Sequence, residues 1–131
     1  MSGGVDSSVT AALLHKAGHK VVGFTFRLWD EEYEQLTGLN GKADAAINDA
    51  KKVSDHIGIR HEVLDLSEFF RQEVLERFER DYLAGVTPNP CVHCNPNIKF
   101  KSLWNAAQAH GLKNISTGHY ALVEHDPDGT P

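Results

Sequence analysis

The amino-acid sequence points to an α/β domain organised around a parallel sheet. Short runs rich in β-branched and aromatic residues alternate with longer stretches whose apolar residues recur every three or four positions. Glycine follows most of the helical stretches, where a left-handed turn closes a helix. Strands separated by helices of this length make βαβ units, whose strands pair in parallel.

In chain order, residues 7–17 (SSVTAALLHKA) predict a short helix with Val9, Ala12 and Leu13 at helical spacing, capped by Gly18. Residues 20–26 (KVVGFTF) read as a buried strand. Residues 29–42 are acidic and punctuated by glycine, the signature of a loop. Ala43, Ala46, Ile47, Ala50, Val53 and Ile57 then mark an amphipathic helix that stops at Gly58. Residues 61–66 (HEVLDL) form a second strand. Ser67 opens a long helix, with Phe70, Val74, Phe78 and Tyr82 on one face, that ends at Gly85. Three prolines between Val86 and Pro96 forbid regular structure and predict a stiff loop that holds its residues out. Helix resumes over 98–110, with Phe100, Leu103, Trp104 and Ala107 apolar, and Gly111 stops it. Residues 114–117 (NIST) predict a short strand, and residues 125–131 a turn or frayed end.

The 131 residues have room for one domain and one core. A hydrophobic share of 40% with 24% charged residues excludes a disordered or fibrous chain. The net charge of −5 is not that of an overall basic nucleic-acid binder. No apolar run reaches the roughly 18 residues of a membrane span, and the opening residues lack the pattern of a secretory signal. Charge is unevenly placed, however. No Asp or Glu occurs from Ala84 to Val123, where Lys99, Lys101 and Lys113 contribute +3 and leave −8 for the rest. That segment also holds both cysteines and His93, His110 and His119. A surface facing phosphates needs such a composition, and chance also produces it.

Two motifs carry chemistry. In Ser2-Gly3-Gly4-Val5-Asp6-Ser7-Ser8 the glycines let the backbone approach an anion. Hydroxyls and N–H groups at the helix start can then donate to phosphate oxygens. No Lys-Ser/Thr follows, so this is not a Walker loop, nor is it G-x-G-x-x-G. A flexible terminus is the plainer reading of Met-Ser-Gly-Gly. The second motif is Cys91-Val92-His93-Cys94 within the proline-rich loop. A segment lacking carboxylates and flanked by Lys99, Lys101 and His93 favours thiolates, and a thiol three residues away can resolve a disulfide or persulfide. A zinc half-site and an inert pair are the other readings; zinc would need two more ligands, and the sequence has no second C-x-x-C.

The first motif resembles the SGGxDS signature of the PP-loop ATP pyrophosphatases. Those enzymes cleave ATP between its α and β phosphates, adenylate a carbonyl oxygen and let a nucleophile displace AMP. Thr87 to Asn95, then Ile98-Lys99-Phe100, then Thr117-Gly118-His119-Tyr120-Ala121 resemble the tRNA-specific 2-thiouridylases of that superfamily. The likeness runs through nearly the whole chain, and the order and spacing of its pieces are specific. It implies a Rossmann-like, adenine nucleotide α-hydrolase-like fold over residues 1–131. In that fold a strand ends just before the glycine motif, so the resemblance implies an N-terminal catalytic portion lacking its first strand and the tRNA-binding remainder.

The resemblance further implies ATP binding by Met1, Ser2, Gly3, Gly4, Val5, Asp6, Ser7, Phe26 and Gly118, with Asp6 helping to hold Mg²⁺. It places Asn89, Pro90 and Cys91 against the target base and His119 against tRNA, and makes Cys94 the nucleophilic cysteine, with Cys91 beside it. In relatives with cysteine at the position of Cys91, the pair and a third cysteine are candidates to hold an iron–sulfur cluster. The implied reaction is ATP-dependent 2-thiolation of the wobble uridine of tRNA, by a persulfide or cluster-bound sulfide, at the expense of ATP. The implied partners are tRNA and a sulfur-donor protein, a desulfurase or relay, with no membrane, in the cytoplasm or, in a eukaryote, the mitochondrial matrix. Other PP-loop adenylating sulfurtransferases and a non-catalytic nucleotide- or RNA-binding remnant are the alternatives. Two local departures stand out: Leu36 to Gly41 replaces a cysteine-containing stretch of many relatives, and Pro96-Asn97 replaces a charged pair.

Overall fold

The computed structural model describes residues 1–89 and 94–120. Its sheet has two parallel strands, β1 (Val22–Arg27) and β2 (Arg60–Asp65), in a register that pairs Val22 with Arg60 and Arg27 with Asp65. Helix α1 (Val5–Lys16) precedes β1, and α2 (Glu31–Thr37) and α3 (Lys42–Ile57) make the crossover to β2. After β2 come α4 (Ser67–Phe70), a wide π-type turn (Arg71–Leu75) and α5 (Glu76–Leu83). A second π-type turn (Asn95–Phe100) leads into α6 (Lys101–Ala109). The α/β class and parallel pairing read from the sequence are thus present.

Helices cover both faces of the sheet, and alternation along the strands decides which residues meet them. On one face Gly23 lies under α3, whose Ala50 and Ser54 are fully buried. A Cβ on Gly23 would come within 3.4 Å of the Ser54 hydroxyl. On the other face the Phe24 ring meets the His110 ring edge-on at 5.5 Å, and His110 Nε2 lies 2.9 Å from a Glu62 carboxylate oxygen. That contact fastens the end of α6 to β2. A second core patch forms from Phe70, Val74, Cys94 and Ile98, with Leu28, Trp29, Leu66 and Leu75 against it. Trp29 stacks on Tyr33 at 4.6 Å and presents its edge to Phe70 at 4.7 Å.

Helix ends fall where glycine predicts them. Gly58, at φ 81°, donates its N–H to the Ser54 carbonyl, and Ile59 donates to the same oxygen. Other expectations are corrected. Residues 29–42 are not simply a loop, because α2 forms within them. The Asp30 carboxylate caps α2 by accepting from the Tyr33 N–H at 2.7 Å, and Glu31, Glu32 and Glu34 in its first turn suit the helix dipole. In α1 the buried residue is Ala11, whereas Val9 and Leu13 are 49% and 62% exposed. Phe78 and Tyr82 stack on each other but stay largely exposed, so only Phe70 and Val74 of that face enter the core. Residues 114–117 form no ladder; a hollow of about 1050 Å³ separates them from β1, leaving their backbone no strand to pair with. Cys94 is already helical, ahead of the expected start at Ile98. Pro96 is the second residue of the π-type turn that follows.

Candidate nucleotide site

The glycine motif begins alongside β1. The Met1 nitrogen donates to the Phe24 carbonyl, and the Thr25 hydroxyl donates to the Met1 carbonyl at 2.6 Å. With its one proton so used, Thr25 accepts from His61 Nε2 at 2.8 Å, which fixes the proton on that ring nitrogen. Burial pushes the His61 imidazole below its ordinary value, with positive neighbours adding to the effect.

From Met1 the chain turns through Gly3 into α1. Gly3 has φ 75°, and a Cβ there would lie 3.2 Å from the Ala46 carbonyl oxygen and 3.3 Å from the Ala50 nitrogen. A side chain at this position would be strained and would also push the motif off α3. Gly4 is the N-cap of α1 and supplies no side chain, so the helix's first N–H groups receive no side-chain cap. Hydroxyls gather around them. Ser2 Oγ and Ser7 Oγ are 3.1 Å apart, the Gly4 N–H donates to Ser2 Oγ at 3.3 Å, and the Ser8 hydroxyl donates to the Gly4 carbonyl at 2.7 Å. Val5 and Asp6 are exposed in the first turn.

The chain returns to this point more than a hundred residues later. Gly118 is so close to α1 that a Cβ would lie 2.8 Å from the Ser7 nitrogen and 3.1 Å from Asp6. The Tyr120 hydroxyl donates to Asp6 Oδ1 at 3.0 Å, and this bond raises the phenol's pKa. His119 is exposed, its Nδ1 lies 2.9 Å from Thr117 Oγ1, and its ring lies 6.0 Å from that of Phe100. Ser2, Asp6, Ser7, Phe26, Lys99 and Gly118 all line the hollow beside β1.

The anion-binding features expected at the N-terminal motif, at Phe26 and at Gly118 therefore share one cleft, and His119 lines it too. A cradle of uncapped N–H groups, hydroxyls and two glycines suits a polyphosphate. One carboxylate at its rim suits Mg²⁺, which is held by one or two carboxylates together with substrate phosphates.

The thiol lies elsewhere. Cys94 is 5% exposed and packs with Phe70, Val74 and Ile98, which corrects the expectation that the proline-rich loop holds it out. Asn89 is exposed; Pro90 and Cys91 lie outside the described residues. Among the described residues no group of three or more His, Cys, Asp or Glu side chains could hold a metal ion, and no helix is long and apolar enough to cross a membrane. Lys99 and Tyr120 were not among the expected site residues. The acid-free composition signalled the lysine, whereas nothing local signalled the tyrosine's contact with Asp6.

The family described as tRNA methyl transferase HUP domain matches residues 1–130. A tRNA-specific 2-thiouridylase MnmA of Heliobacterium modesticaldum is 46% identical over 126 residues, covering 96% of this chain and 33% of the relative. Its counterparts from Carboxydothermus hydrogenoformans and Halothermothrix orenii are 45% and 47% identical, each over 98% of this chain and 36% of their own length. The chain thus spans about a third of the length of these curated relatives. A match across virtually every residue, on a parallel α/β frame with a glycine cradle at its first helix, makes this chain a member of the tRNA methyl transferase HUP domain family, within the PP-loop superfamily.

Proposed function

We propose that residues 1–131 form the ATP-binding portion of an enzyme that thiolates the wobble uridine of tRNA at carbon 2. The observation that carries this reading is the cleft in which the uncapped start of α1, the Gly3 and Gly118 approaches and Asp6 converge. Family membership and the printed names of the relatives support the substrate.

In this reading the N–H groups and hydroxyls of Ser2 to Ser8 bind the ATP phosphates, and Lys99 offsets their charge from the far wall. Mg²⁺ held by Asp6 would neutralise developing phosphate charge. The O2 oxygen of the uridine attacks the α phosphate and pyrophosphate leaves. That converts a poor leaving group into AMP. A persulfide sulfur, charged by a donor protein, then bonds to C2 and AMP departs. The Cys94 thiolate attacks the carrier cysteine's sulfur, which frees the thiocarbonyl and leaves a protein disulfide. Because Cys94 is covered, this last step requires that the thiol first be uncovered. A cluster held by Cys91, Cys94 and a third thiolate would supply a sulfide to the same carbon in place of the persulfide.

Two substitutions test the reading in the full protein. Cys94→Ala abolishes 2-thiouridine, measured by mass spectrometry of tRNA nucleosides, and leaves Mg·ATP affinity intact. Asp6→Ala weakens Mg·ATP binding in calorimetry by at least about tenfold. Normal thiolation in the first variant, or normal affinity in the second, rejects the assignment.

A further inference from the structure

Tyr120 reaches across the chain to the motif at its start, and the contact has a direction. The phenol can only donate to a carboxylate, so the O–H of Tyr120 holds Oδ1 of Asp6 at 3.0 Å. An ionised carboxylate offers about four acceptor positions on its two oxygens, so one such bond leaves Oδ2 free of it. Both partners are exposed, and an exposed Asp side chain held by nothing would sample several rotamers. Tyr120 itself is not free to wander. Gly118, two residues earlier, sits against the Ser7 nitrogen with no room for a Cβ. The Thr117 hydroxyl meets the ring nitrogen of His119, two positions on, and the Phe100 ring lies beside that imidazole. The segment is seated before the phenol is placed.

We propose that Tyr120 is a positioning residue for the cation side of the nucleotide site, holding one Asp6 oxygen and leaving the other for the metal of a metal–nucleoside triphosphate. The proposal rests on the nucleotide reading given above and goes beyond it by naming the group that fixes the carboxylate. It also ties the segment bearing His119 to occupancy of the phosphate cradle. A carboxylate fixed in advance pays less ordering cost when the metal arrives. The contribution is therefore confined to the metal-bound nucleotide, because bare phosphate gains nothing from an oriented anion.

The test compares Tyr120→Phe, Asp6→Ala and the double variant in the full protein, with a non-hydrolysable ATP analogue as probe, by calorimetry in Mg²⁺ and in EDTA. Tyr120→Phe weakens binding of the Mg²⁺ complex about three- to tenfold and leaves the metal-free affinity unchanged. In the Asp6→Ala background the same substitution changes nothing. An equal loss with and without metal marks a merely structural role and overturns the proposal. Tighter binding, which a tyrosine competing with the metal would give, overturns it, as does no change, or an effect that persists without Asp6. If Asp6→Ala alone leaves the Mg²⁺ complex unaffected, the nucleotide reading itself fails. If Asp6→Ala weakens binding while Tyr120→Phe is silent, only the role of Tyr120 fails.

Discussion

Replacing Gly118 by alanine puts a methyl group where the backbone of α1 already stands. The new Cβ would lie 2.8 Å from the Ser7 nitrogen, 3.1 Å from the Asp6 carbonyl carbon and 3.1 Å from Asp6 Cβ. Comfortable separations are about 3.5–4.0 Å, so the two segments must part by about 0.5–1 Å. None of the three atoms is the end of a flexible side chain, so nothing yields cheaply. Overpacking of this kind costs about 1–3 kcal/mol. Gly118 is not among the glycines with positive φ, so alanine is conformationally allowed and returns about 0.4–1 kcal/mol through a stiffer unfolded chain. A net loss of about 1–2 kcal/mol remains, a factor of about 5–30. It appears as weaker Mg·ATP binding in calorimetry if the segment lifts away, and as a lower unfolding midpoint if it stays. Gly85→Ala is the control. With φ 75°, no atom within 4 Å of its Cβ and no place in the hollow's lining, it loses about 1 kcal/mol of stability to strain while nucleotide affinity holds. A Gly118→Ala protein with normal affinity and a normal midpoint would falsify the close-approach argument.

Two further outcomes follow from side chains outside the cleft. Glu34 is 5% exposed and its two carboxylate oxygens accept from the Gly41 and Ala43 N–H groups at 2.9 Å each, closing the start of α3. Glu34→Gln turns one acceptor into a donor facing an N–H and lowers stability by about 1–3 kcal/mol in urea unfolding; an unchanged midpoint contradicts this cap. For His61, burial holds the folded pKa below the unfolded one, so its stabilisation is present above the ordinary value and is lost as pH falls toward the folded value. His61→Gln accordingly flattens the fall in stability below about pH 6.5, and an unaltered pH profile shows that other groups cause it.

What the sequence made legible was whatever local chemistry decides. The end of α3 was readable because only glycine accepts the left-handed turn at Gly58. The uncapped start of α1 was readable because two glycines ahead of a helix leave its first N–H groups without a side-chain cap. The inward face of α1 was not. Residues 11–14 read Ala-Ala-Leu-Leu, apolar around much of the helix, so periodicity could not choose between Ala11 and Leu13. Helix α2 carried a legible signal in Asp30, with glutamates behind it and Gly38 beyond, but acidic composition and glycine spacing outweighed it. For residues 114–117, β propensity describes fit to a neighbouring strand, and here a hollow takes the neighbour's place. The bonds Glu34 makes to the start of α3 and the bond Tyr120 makes to Asp6 are tertiary, the latter spanning 114 positions, and no local pattern encodes them.

One helical stretch carries both a covered thiol, Cys94, and a lysine on the wall of the open cleft. Ile98 is 1% exposed and packs with Phe70, Val74 and Cys94, so it anchors the stretch against α4 and the first π-type turn. The next residue, Lys99, lines the cleft that also receives Asp6, Ser7 and Gly118. Four residues before the anchor, Cys94 is covered within the same apolar patch. The thiol and the lysine therefore stand on opposite sides of one buried anchor along the chain.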